Sequence, residues 1–335
     1  MPRKCRKCGQ PAVINMRQHK LALCKAHFPA WIVEQTERFI KKYKMFTHEH
    51  RILVAVSGGK DSMALWDVLL RLGYQADGLY LGLGIDGGLE YSDESRKIVK
   101  TFAEAHPQTR LHILDIEQTY GEGIPALARR TRRGKGKPCS VCGLVKRHEM
   151  NRIAHELGYN VLATGHNLDD EAAVLCQNTL NWQVGFLARQ TPVLPESAGF
   201  ARKVKPFFRF YERETATYAI VRGIDYIYEE CPFSEGATTI YYKELLNQLE
   251  RDKPGAKLHF YLSFLKAREK EALFASRQQE EGVSLHPCER CGQPTTAPRL
   301  CAFCRLFPEE ILNRPQEAFR PITLQFRTGK ASQER

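Results

Sequence analysis

The sequence predicts an α/β fold with a doubly wound parallel sheet, flanked at both ends of the chain by short cysteine-rich modules. From residue 51 onward, short apolar runs alternate with segments of helical periodicity, and strands joined by single helices pair in parallel. A glycine-rich turn separates the first of these strands from the first helix. Closely spaced cysteine pairs near both ends of the chain predict metal-bound modules outside the sheet.

The strands and helices of the sheet region follow one another along the chain. The apolar run over residues 51–56 predicts the first strand, and residues 60–72 predict the first helix. Further strands are predicted over residues 76–84, 111–116, 160–164 and 225–228. Further helices are predicted over residues 93–105, 145–157, 169–180 and 212–223, with a loop over 185–205 and charged helices over 237–277.

Charge and hydropathy limit the classes of protein to which the chain can belong. Its 335 residues include 50 Lys and Arg against 38 Asp and Glu, a formal net charge of +12, which favours a polyanionic partner. A hydrophobic fraction of 43% argues against a disordered chain. No apolar run approaches the ~20 residues of a membrane helix, and the first residues lack the apolar core of a secretory signal. We therefore expect a cytoplasmic protein that does not enter a membrane.

Two complete sets of four metal-binding side chains lie near the ends of the chain. They are Cys5, Cys8, Cys24 and His27 in the first set, and Cys288, Cys291, Cys301 and Cys304 in the second. Two such pairs separated by a short loop place four ligands around a tetrahedral Zn²⁺. Neither set has an open position, so we expect two structural Zn²⁺ ions that fold segments too short for a core of their own. Unliganded, reduced thiols are the alternative.

A third group of cysteines has a different pattern. Cys139-x2-Cys142 has no second close pair, and Cys231 is followed by proline, as some iron–sulfur ligands are. Cys176 lies in an apolar helical stretch and is most simply a core residue. Three thiolates suit a [4Fe-4S] cluster with one iron open to another ligand, while a redox dithiol and a persulfide-carrying cysteine are the alternatives.

The segment Ser57-Gly58-Gly59-Lys60-Asp61-Ser62 lies between the first predicted strand and the first helix. Two glycines let the backbone approach a ligand, and a helix N-terminus supplies free N–H groups. The two serine hydroxyls and the lysine charge add to this, so the turn suits an anion. It lacks the Gly-x4-Gly-Lys-Ser/Thr pattern of nucleotide-hydrolysing P-loops. A tight turn that merely caps a helix is the alternative.

This hexapeptide resembles the SGGxDS signature of the PP-loop ATP pyrophosphatases, which split ATP between the α- and β-phosphates. Gly165-His166-Asn167-Leu168-Asp169-Asp170-Glu171 resembles the second signature of their tRNA-thiolating branch, and the third cysteine group resembles that branch's iron–sulfur site. With a zinc module on either side, the layout is similar to the two-thiouridine synthetases of the TtuA type. The resemblance covers about residues 1–307.

The resemblance implies an ATP-dependent tRNA sulfurtransferase. Attack of a uridine C2 oxygen on the α-phosphate of ATP would release pyrophosphate, and sulfur would then displace AMP to give 2-thiouridine or 5-methyl-2-thiouridine. Position 54 in the T-loop is implied by the TtuA type. Thiolation of the wobble uridine at position 34, thiolation of a cytidine at position 32, and a non-catalytic zinc-bearing RNA-binding protein are the alternatives.

The resemblance also implies the residues of the site. Lys146 and Asp170 are expected to be catalytic, with Asp169 as the neighbouring alternative, and Cys139, Cys142 and Cys231 to hold the [4Fe-4S] cluster. ATP with Mg²⁺ is expected to contact Ala55, Ser57, Gly58, Gly59, Lys60, Asp61, Ser62, Ile85, Gly165 and Asp170.

The basic segment before Cys139 is expected to be a flexible loop that contacts tRNA phosphates. Its charged residues are Arg129, Arg130, Arg132, Arg133, Lys135 and Lys137. A solvated charged surface without a ligand is the alternative. The resemblance leaves the sulfur donor open between a thiocarboxylated ubiquitin-like protein, a persulfide and free sulfide, and it suggests a homodimer.

Six units are expected along the chain. They are an N-terminal zinc module (1–28), a linker helix (29–50), the PP-loop catalytic domain (51–250), a helical segment (251–283), a C-terminal zinc module (284–307) and an extended tail (308–335).

Overall fold

The computed structural model of the chain describes residues 3–85, 91–197, 199–234, 236–270, 273–274 and 285–326. The strands in these ranges are β1 (Ile14–Met16), β2 (Leu21–Leu23), β3 (Ile52–Ala55), β4 (Ala76–Gly82), β5 (Arg110–Asp115), β6 (Val161–Thr164), β7 (Val193–Leu194), β8 (Arg202–Val204), β9 (His286–Pro287), β10 (Pro294–Thr295) and β11 (Ile322–Gln325).

The α-helices are α1 (His27–Lys42), α2 (Lys60–Arg71), α3 (Tyr91–Ala105), α4 (Ile116–Tyr120), α5 (Ile124–Arg130), α6 (Pro138–Glu156), α7 (Leu168–Leu180), α8 (Val184–Arg189), α9 (Glu212–Arg222), α10 (Thr238–Asp252), α11 (Ala256–Lys270) and α12 (Glu309–Leu312). Within the described ranges, no helix is both long enough and apolar enough to cross a membrane.

The central sheet has the strand order β11-β5-β4-β3-β6-β8-β7. Strands β5, β4, β3, β6 and β8 are parallel, which confirms the predicted sheet, while β11 and β7 pair antiparallel at the edges. β3 lies between β4 and β6, so the strand order reverses there. Open α/β sheets bind ligands beyond the carboxyl ends of the strands at such a reversal. The loops that follow Ala55 and Thr164 meet at this place, because these two residues are partners across β3 and β6.

The apolar run of β3 is buried on both faces of the sheet. Ile52 and Val54 belong to one hydrophobic cluster and Leu53 to the other, as the alternation of side chains along a strand requires. The first cluster includes Cys5 of the N-terminal module, and the second includes Cys304 of the C-terminal module. Each terminal module therefore packs on its own face of the sheet.

Three predicted segments differ from the structure. The predicted loop 185–205 contains most of α8 and both β7 and β8, where short elements gave no clear period. The predicted strand 225–228 is irregular, and the amide of Ile227 donates to the Gly58 carbonyl at 2.9 Å instead of pairing in a ladder. Helix α6 begins at Pro138, seven residues before its predicted start, because proline is favourable in the first turn of a helix.

The predicted extended tail instead completes the sheet. Strand β11 pairs antiparallel with β5, with Ile322 opposite Ile113, so it covers an edge that would otherwise expose unpaired backbone groups. Residues 327–335 of the tail lie outside the described residues, as do residues 275–284, which include the end of the predicted helical segment.

Candidate functional site

The segment between β3 and α2 forms a closed turn. Ser62 Oγ accepts a hydrogen bond from the Ser57 amide at 3.1 Å and donates to the Gly59 carbonyl at 2.9 Å. Gly58 has φ +79°, and a Cβ atom there would lie 2.9 Å from the Ser95 Cβ atom, so only glycine fits. No described side chain caps α2 at Gly59, which leaves the first amides of the helix for an anion.

The turn between β6 and α7 packs against this phosphate loop. A Cβ atom at Gly165 would lie 2.8 Å from the Asp61 carbonyl carbon and from the Ser62 nitrogen. Asn167 caps α7 by accepting from the Asp170 amide at 3.1 Å, and the Asp170 carboxylate accepts from the Asn167 amide at the same distance. The structure therefore brings together the two segments that the sequence singled out separately.

Asp61 is held by polar groups from two other elements. Its Oδ1 atom accepts from the side-chain Nδ2 group of Asn167 at 3.1 Å and from the Thr215 hydroxyl of α9. Burial raises the pKa of Asp61, and the Lys60 ammonium together with the Thr215 hydroxyl lowers it only in part. A cation near this carboxyl would therefore favour its charged form.

Charges alternate around the phosphate loop. The Lys60 ammonium lies 2.7 Å from Glu212 and 3.3 Å from Asp61, and the Lys243 ammonium lies 2.6 Å from Asp170 and 3.2 Å from Glu212. Burial raises the pKa of Glu212, but Lys243 and Lys60 outweigh it and lower this pKa below its ordinary value. Sequence reasoning missed Glu212, Thr215 and Lys243, since each lies on a helix without a local motif.

Asp169 and Asp170 have different surroundings. Asp169 is 4% exposed, forms an ion pair with the Lys257 ammonium and accepts from the Glu212 amide at 2.8 Å. Asp170 is less buried and faces Lys243. This geometry favours Asp170 as the residue available to a ligand and a structural role for Asp169.

Two of the residues expected to contact ATP, Ala55 and Ile85, have backbone groups that already form hydrogen bonds within the protein. Both backbone polar groups of Ile85 bond to Ser92, at 3.0 Å from the amide to the hydroxyl and at 3.1 Å from the Ser92 amide to the carbonyl. Ala55 pairs in the sheet with β4 and β6. Contact of Ile85 with ATP stays a prediction, and it would involve the side chain.

Cys139 and Cys142 lie in the first turns of α6, where the segment that carries Cys231 contacts them. The Cys139 thiol is exposed and donates to the carbonyl of Phe233 at 3.2 Å, two residues after Cys231. Cys142 and Cys231 pack against the same apolar cluster. Burial raises the pKa of the Cys142 thiol, and the charge of Lys146, one turn along α6, lowers it in part.

The three thiols supply the kind of ligand that iron–sulfur clusters bind. Among the described residues, the cysteine trio does not form a group whose ligand atoms all lie within 4.8 Å of one another, unlike the ligand groups at the two ends of the chain. Ligands of separate irons are held further apart than ligands of one ion, and three cysteines leave one iron of a [4Fe-4S] cluster open. The donor set therefore fits the expected cluster.

The N-terminal ligand set forms as predicted. Ligand atoms of Cys5, Cys8, Cys24 and His27 all lie within 4.8 Å of one another. The Cys8 and Cys24 sulfurs are 3.7 Å apart, and His27 Nδ1 lies 3.4 Å from the Cys24 sulfur. A tetrahedral zinc with Zn–S of ~2.3 Å and Zn–N of ~2.0 Å gives edges of about 3.8 and 3.5 Å, so the set fits one Zn²⁺.

In the C-terminal module, three of the four predicted ligands lie close together beside a histidine of α6. The mutually close group consists of His148, Cys291, Cys301 and Cys304. The Cys288 sulfur accepts the Cys301 amide at 3.2 Å, and its role as a metal ligand stays a prediction. His148 could not be found from spacing, because it lies on α6, 143 residues before Cys291.

The basic segment is folded rather than flexible. Arg129 and Arg130 end α5, and Arg130 donates to the Leu306 carbonyl at 2.6 Å and pairs with Glu122 at 2.9 Å. Consecutive turns follow, in which the amides of Gly134 and Lys135 donate to the Thr131 carbonyl. The side chains exposed on this segment are Arg129, Arg130, Arg132, Arg133, Lys135 and Lys137. Contact of this surface with RNA stays a prediction, and Arg130 also has a structural role.

Two families match the chain. Residues 4–29 match the family described as 2-thiouridine synthetase TtuA, N-terminal LIM domain, and residues 32–232 match the PP-loop domain family. These ranges correspond to the N-terminal metal module and to most of the sheet region.

Curated relatives cover almost the whole chain. It is 49% identical over 325 residues to the tRNA-5-methyluridine(54) 2-sulfurtransferase of Thermus thermophilus, across 93% of this chain and 97% of that protein. The protein of the same name from Thermotoga maritima is 44% identical over 308 residues, across 90% and 95%. Cytoplasmic tRNA 2-thiolation protein 1 of Chlamydomonas reinhardtii is 31% identical over 319 residues, across 93% and 86%.

A solved structure has the same fold. The U34-tRNA thiolase NcsA from Methanococcus maripaludis, determined with its [4Fe-4S] cluster, matches with a TM-score of 0.72 at 23% identity. The match covers 90% of this chain and 95% of the other. It establishes a shared fold.

Proposed function

Because the chain belongs to the 2-thiouridine synthetase family of PP-loop proteins, we propose that it is a tRNA sulfurtransferase that replaces the C2 oxygen of uridine 54 by sulfur. The reaction consumes ATP and yields AMP and pyrophosphate. Close relatives that act on tRNA 5-methyluridine 54 support this substrate, as does the chain's net charge of +12.

The position of helix α3 carries the proposal. Tyr91, at its start, packs against the same apolar cluster as Cys142 and Cys231. One turn later, Ser95 packs against Gly58 of the phosphate loop. Four residues of helix correspond to about 6 Å along its axis. Helix α3 thus contacts the phosphate loop about one turn from the residue that packs near the thiols, which supports a reaction that needs both ATP and sulfur.

ATP activates the oxygen that leaves. The uridine C2 oxygen attacks the α-phosphorus, pyrophosphate departs, and the resulting adenylated base loses AMP when sulfur attacks C2. The amides of the phosphate loop and the Lys60 ammonium bind the β- and γ-phosphates. Asp61 and Asp170 supply carboxylate oxygens for Mg²⁺, which usually binds through one or two carboxylates and substrate phosphates. Lys146 stabilises negative charge that develops at the α-phosphate.

Sulfur is delivered from the side of α6. Cys139, Cys142 and Cys231 would hold a [4Fe-4S] cluster, which when bound offers an open iron for a sulfur ligand. The exposed Cys139 side of this group faces solvent, so a small sulfur compound has a route to it. Free sulfide, a persulfide and a thiocarboxylated ubiquitin-like protein remain the three donor classes, and each can be supplied separately in vitro.

The tRNA binds across the basic segment between α5 and α6. Arg132, Arg133 and Lys135 are exposed there and lead directly into the helix that carries Cys139. Contacts to phosphates would position the tRNA, while the target uridine leaves its stack to reach the cleft. We place the reaction in the cytoplasm, with two structural Zn²⁺ ions per chain, and retain the family's homodimer as an expectation.

Anaerobic thiolation of unmodified tRNA tests the proposal. Purified protein, ATP, Mg²⁺ and sulfide are expected to yield thiouridine at position 54, measured by mass spectrometry of nuclease fragments. Cys139→Ala is expected to abolish product, and Cys176→Ala, which changes a cysteine outside the trio, is expected to retain it. Thiolation at position 34 would show that the substrate position is wrong, and full activity of Cys139→Ala would remove the cysteine trio from the reaction.

A further inference from the structure

A cavity of about 320 Å³ lies between the N-terminal metal module, helix α1 and the loop that precedes α9. Its lining includes Trp31 and Arg38 of α1, Arg209 and Phe210 of the loop, and His19 of the turn between β1 and β2. Trp31 and Arg38 are seven residues apart, so both lie on one face of the helix. The cavity thus combines aromatic rings with basic side chains, and it shares no lining residue with the nucleotide site described above.

The aromatic rings of this cavity are held in place by one another. The Trp31 ring lies 5.8 Å from that of Phe210 and 5.6 Å from that of His19, measured between centroids. The Arg209 guanidinium lies over the Phe39 ring, 4.7 Å from its centroid. Phe39 and Phe210 are buried, while Trp31 is only partly buried. Rings that packing already fixes lose little freedom when a planar ligand contacts them.

The positive charges of the cavity are not neutralised in the described part of the chain, where neither Arg38 nor Arg209 forms a salt bridge. Burial lowers the pKa of Arg209, and the charge of Arg38 lowers it further. Burial, with the charges of Arg209 and Arg213, also lowers the pKa of His19. Cations that disfavour one another in a partly buried place are stabilised by an anion. The cavity therefore suits a ligand that carries both a ring and negative charge.

The loop that lines the cavity also contacts the nucleotide site. The Phe210 carbonyl accepts a hydrogen bond of 2.8 Å from the amide of Leu168, the first residue of the helix that carries Asp170. Arg209 lies three residues before Glu212, which pairs with the lysine of the phosphate loop. Three residues span at most about 11 Å of extended chain. A ligand in the cavity would therefore lie close to the reacting groups without occupying their place.

The cavity and the basic segment before Cys139 lie on different faces of the sheet. Phe39 and Phe210 belong to the hydrophobic cluster on one face, and Leu127 of α5 belongs to the cluster on the other. Contacts on both faces would hold a long polyanion on either side of the central strands. A second contact region for the same polyanion is therefore consistent with the fold.

We propose that this cavity binds a nucleotide of the tRNA other than the target uridine, with its phosphate at Arg38 and Arg209 and its base against Trp31. Proteins bind unpaired RNA by stacking bases on aromatic side chains and by arginine contacts to phosphates. One nucleotide supplies both groups, whereas inorganic phosphate has no ring. The proposal rests on the proposed function, because tRNA is the substrate named there.

Tryptophan fluorescence tests the contact with the base. Unmodified tRNA transcript is added without ATP to the wild type, to Trp31→Phe and to Trp182→Phe, which changes an exposed tryptophan outside the cavity. Because a stacked base quenches indole emission, the wild type and Trp182→Phe are expected to lose fluorescence, and Trp31→Phe is expected to lose most of this response. The same quenching in Trp31→Phe as in the wild type would overturn the proposal. Quenching of Trp31 by AMP but not by tRNA would also overturn it, in favour of a free nucleotide.

Filter binding of tRNA at increasing salt tests the contact with phosphate. Arg38→Met/Arg209→Met is expected to weaken binding and to reduce the slope of log K against log salt concentration by roughly 1.4–1.8, since each lost phosphate contact contributes roughly 0.7–0.9. Arg71→Met, an exposed arginine at the end of α2, is the matched control and should keep the wild-type slope. An unchanged slope in the double variant would contradict the proposal. Arg38→Met alone, at an exposed position, should give about half of the effect and decides the question if the double variant fails to fold.

The wild type separates failure of this proposal from failure of the proposed function. A wild-type protein that binds and thiolates tRNA while the cavity variants bind it equally well would overturn only the assignment of the cavity. A wild-type protein that does not bind tRNA would overturn the proposed function together with it.

Discussion

The amide of Ile227 donates a hydrogen bond of 2.9 Å to the carbonyl of Gly58. This bond fastens the segment that leads to Cys231 onto the phosphate loop. Ser95 of α3 also packs against the phosphate loop, in the space that a side chain at position 58 would occupy. The third cysteine and the nucleotide site are therefore mechanically joined, and changes at Gly58 should affect both.

Gly58→Ala is expected to disrupt nucleotide binding. The residue has φ +79°, which costs an L-residue about 1–2 kcal/mol, and the new methyl group would clash with Ser95 at 2.9 Å. We expect ATP affinity to fall at least roughly tenfold, because displacement of the loop by a fraction of an ångström misplaces its amides. Gly223→Ala is the matched control, since Gly223 has φ +67° but open space around it. Isothermal titration measures the ATP affinity of both variants. An equal loss of affinity in both would exclude the clash with Ser95 as the cause.

Asp169→Asn is expected mainly to lower stability, and Asp170→Asn is expected mainly to lower kcat. Removing the carboxylate that pairs with Lys257 leaves a buried ammonium unpaired, and breaking such a pair costs about 3–5 kcal/mol of unfolding free energy. Asp170 is partly exposed, so its substitution should change stability by about 1 kcal/mol or less and lower kcat by roughly 10²-fold or more. Urea unfolding and single-turnover thiolation of both variants check this, and the reverse pattern would reassign the catalytic carboxylate to Asp169.

Lys243→Met is expected to lower kcat/KM by roughly 10- to 100-fold. Without this ammonium, the Asp170 and Glu212 carboxylates lose a shared partner and repel the phosphates of ATP. Lys266→Met changes an exposed lysine on α11 and should match the wild type. Pyrophosphate release in the presence of tRNA is the measurement. A Lys243→Met enzyme as active as its control would limit Lys243 to a structural role.

The stability of the protein is expected to fall as pH rises from about 5 to about 8 through Glu214. Burial raises the pKa of this carboxyl from 4.5 to about 8, so the folded state holds a proton that the unfolded state releases. Between these values the folded state binds more protons, and unfolding free energy decreases with pH by at most about 1.4 kcal/mol per unit. Glu214→Gln should remove this slope, and Glu34→Gln, on the surface of α1, should keep it. Urea unfolding from pH 5 to 8 provides the comparison. Parallel curves for Glu214→Gln and the wild type would contradict the raised pKa.

The combined variant Arg132→Ala/Arg133→Ala/Lys135→Ala is expected to weaken tRNA binding and to flatten its salt dependence. Each lost phosphate contact reduces the slope of log K against log salt concentration by roughly 0.7–0.9. Arg130→Ala removes bonds to Glu122 and to the Leu306 carbonyl and should lower stability more than it changes this slope. Filter binding from 50 to 200 mM salt distinguishes the two. An unchanged slope in the triple variant would place the tRNA on another surface.

Local sequence patterns predicted the central parallel strands of the sheet and those parts of the site that are formed by neighbouring residues. Turn chemistry and ligand spacing, which are encoded within a few residues, singled out the phosphate loop and the N-terminal group Cys5, Cys8, Cys24 and His27. Resemblance to a family signature singled out Gly165. Short elements were missed: α8, β7 and β8 occupy a segment predicted as a loop. The segment 225–228 was predicted as a strand from its short apolar run. The run does not reveal that the Ile227 amide bonds to the phosphate loop instead of to a neighbouring strand.

Local sequence patterns were enough to predict the parallel α/β region, the phosphate loop and the three groups of cysteines, since periodicity, turn chemistry and ligand spacing are properties of neighbouring residues. The contacts that these groups make with distant side chains depend on how the whole chain packs. Lys60 meets Glu212 across 152 positions of the chain, and His148 meets Cys291 across 143. The first pair forms because α2 packs against α9, and the second because the C-terminal module packs against α6. No local sequence pattern records that packing.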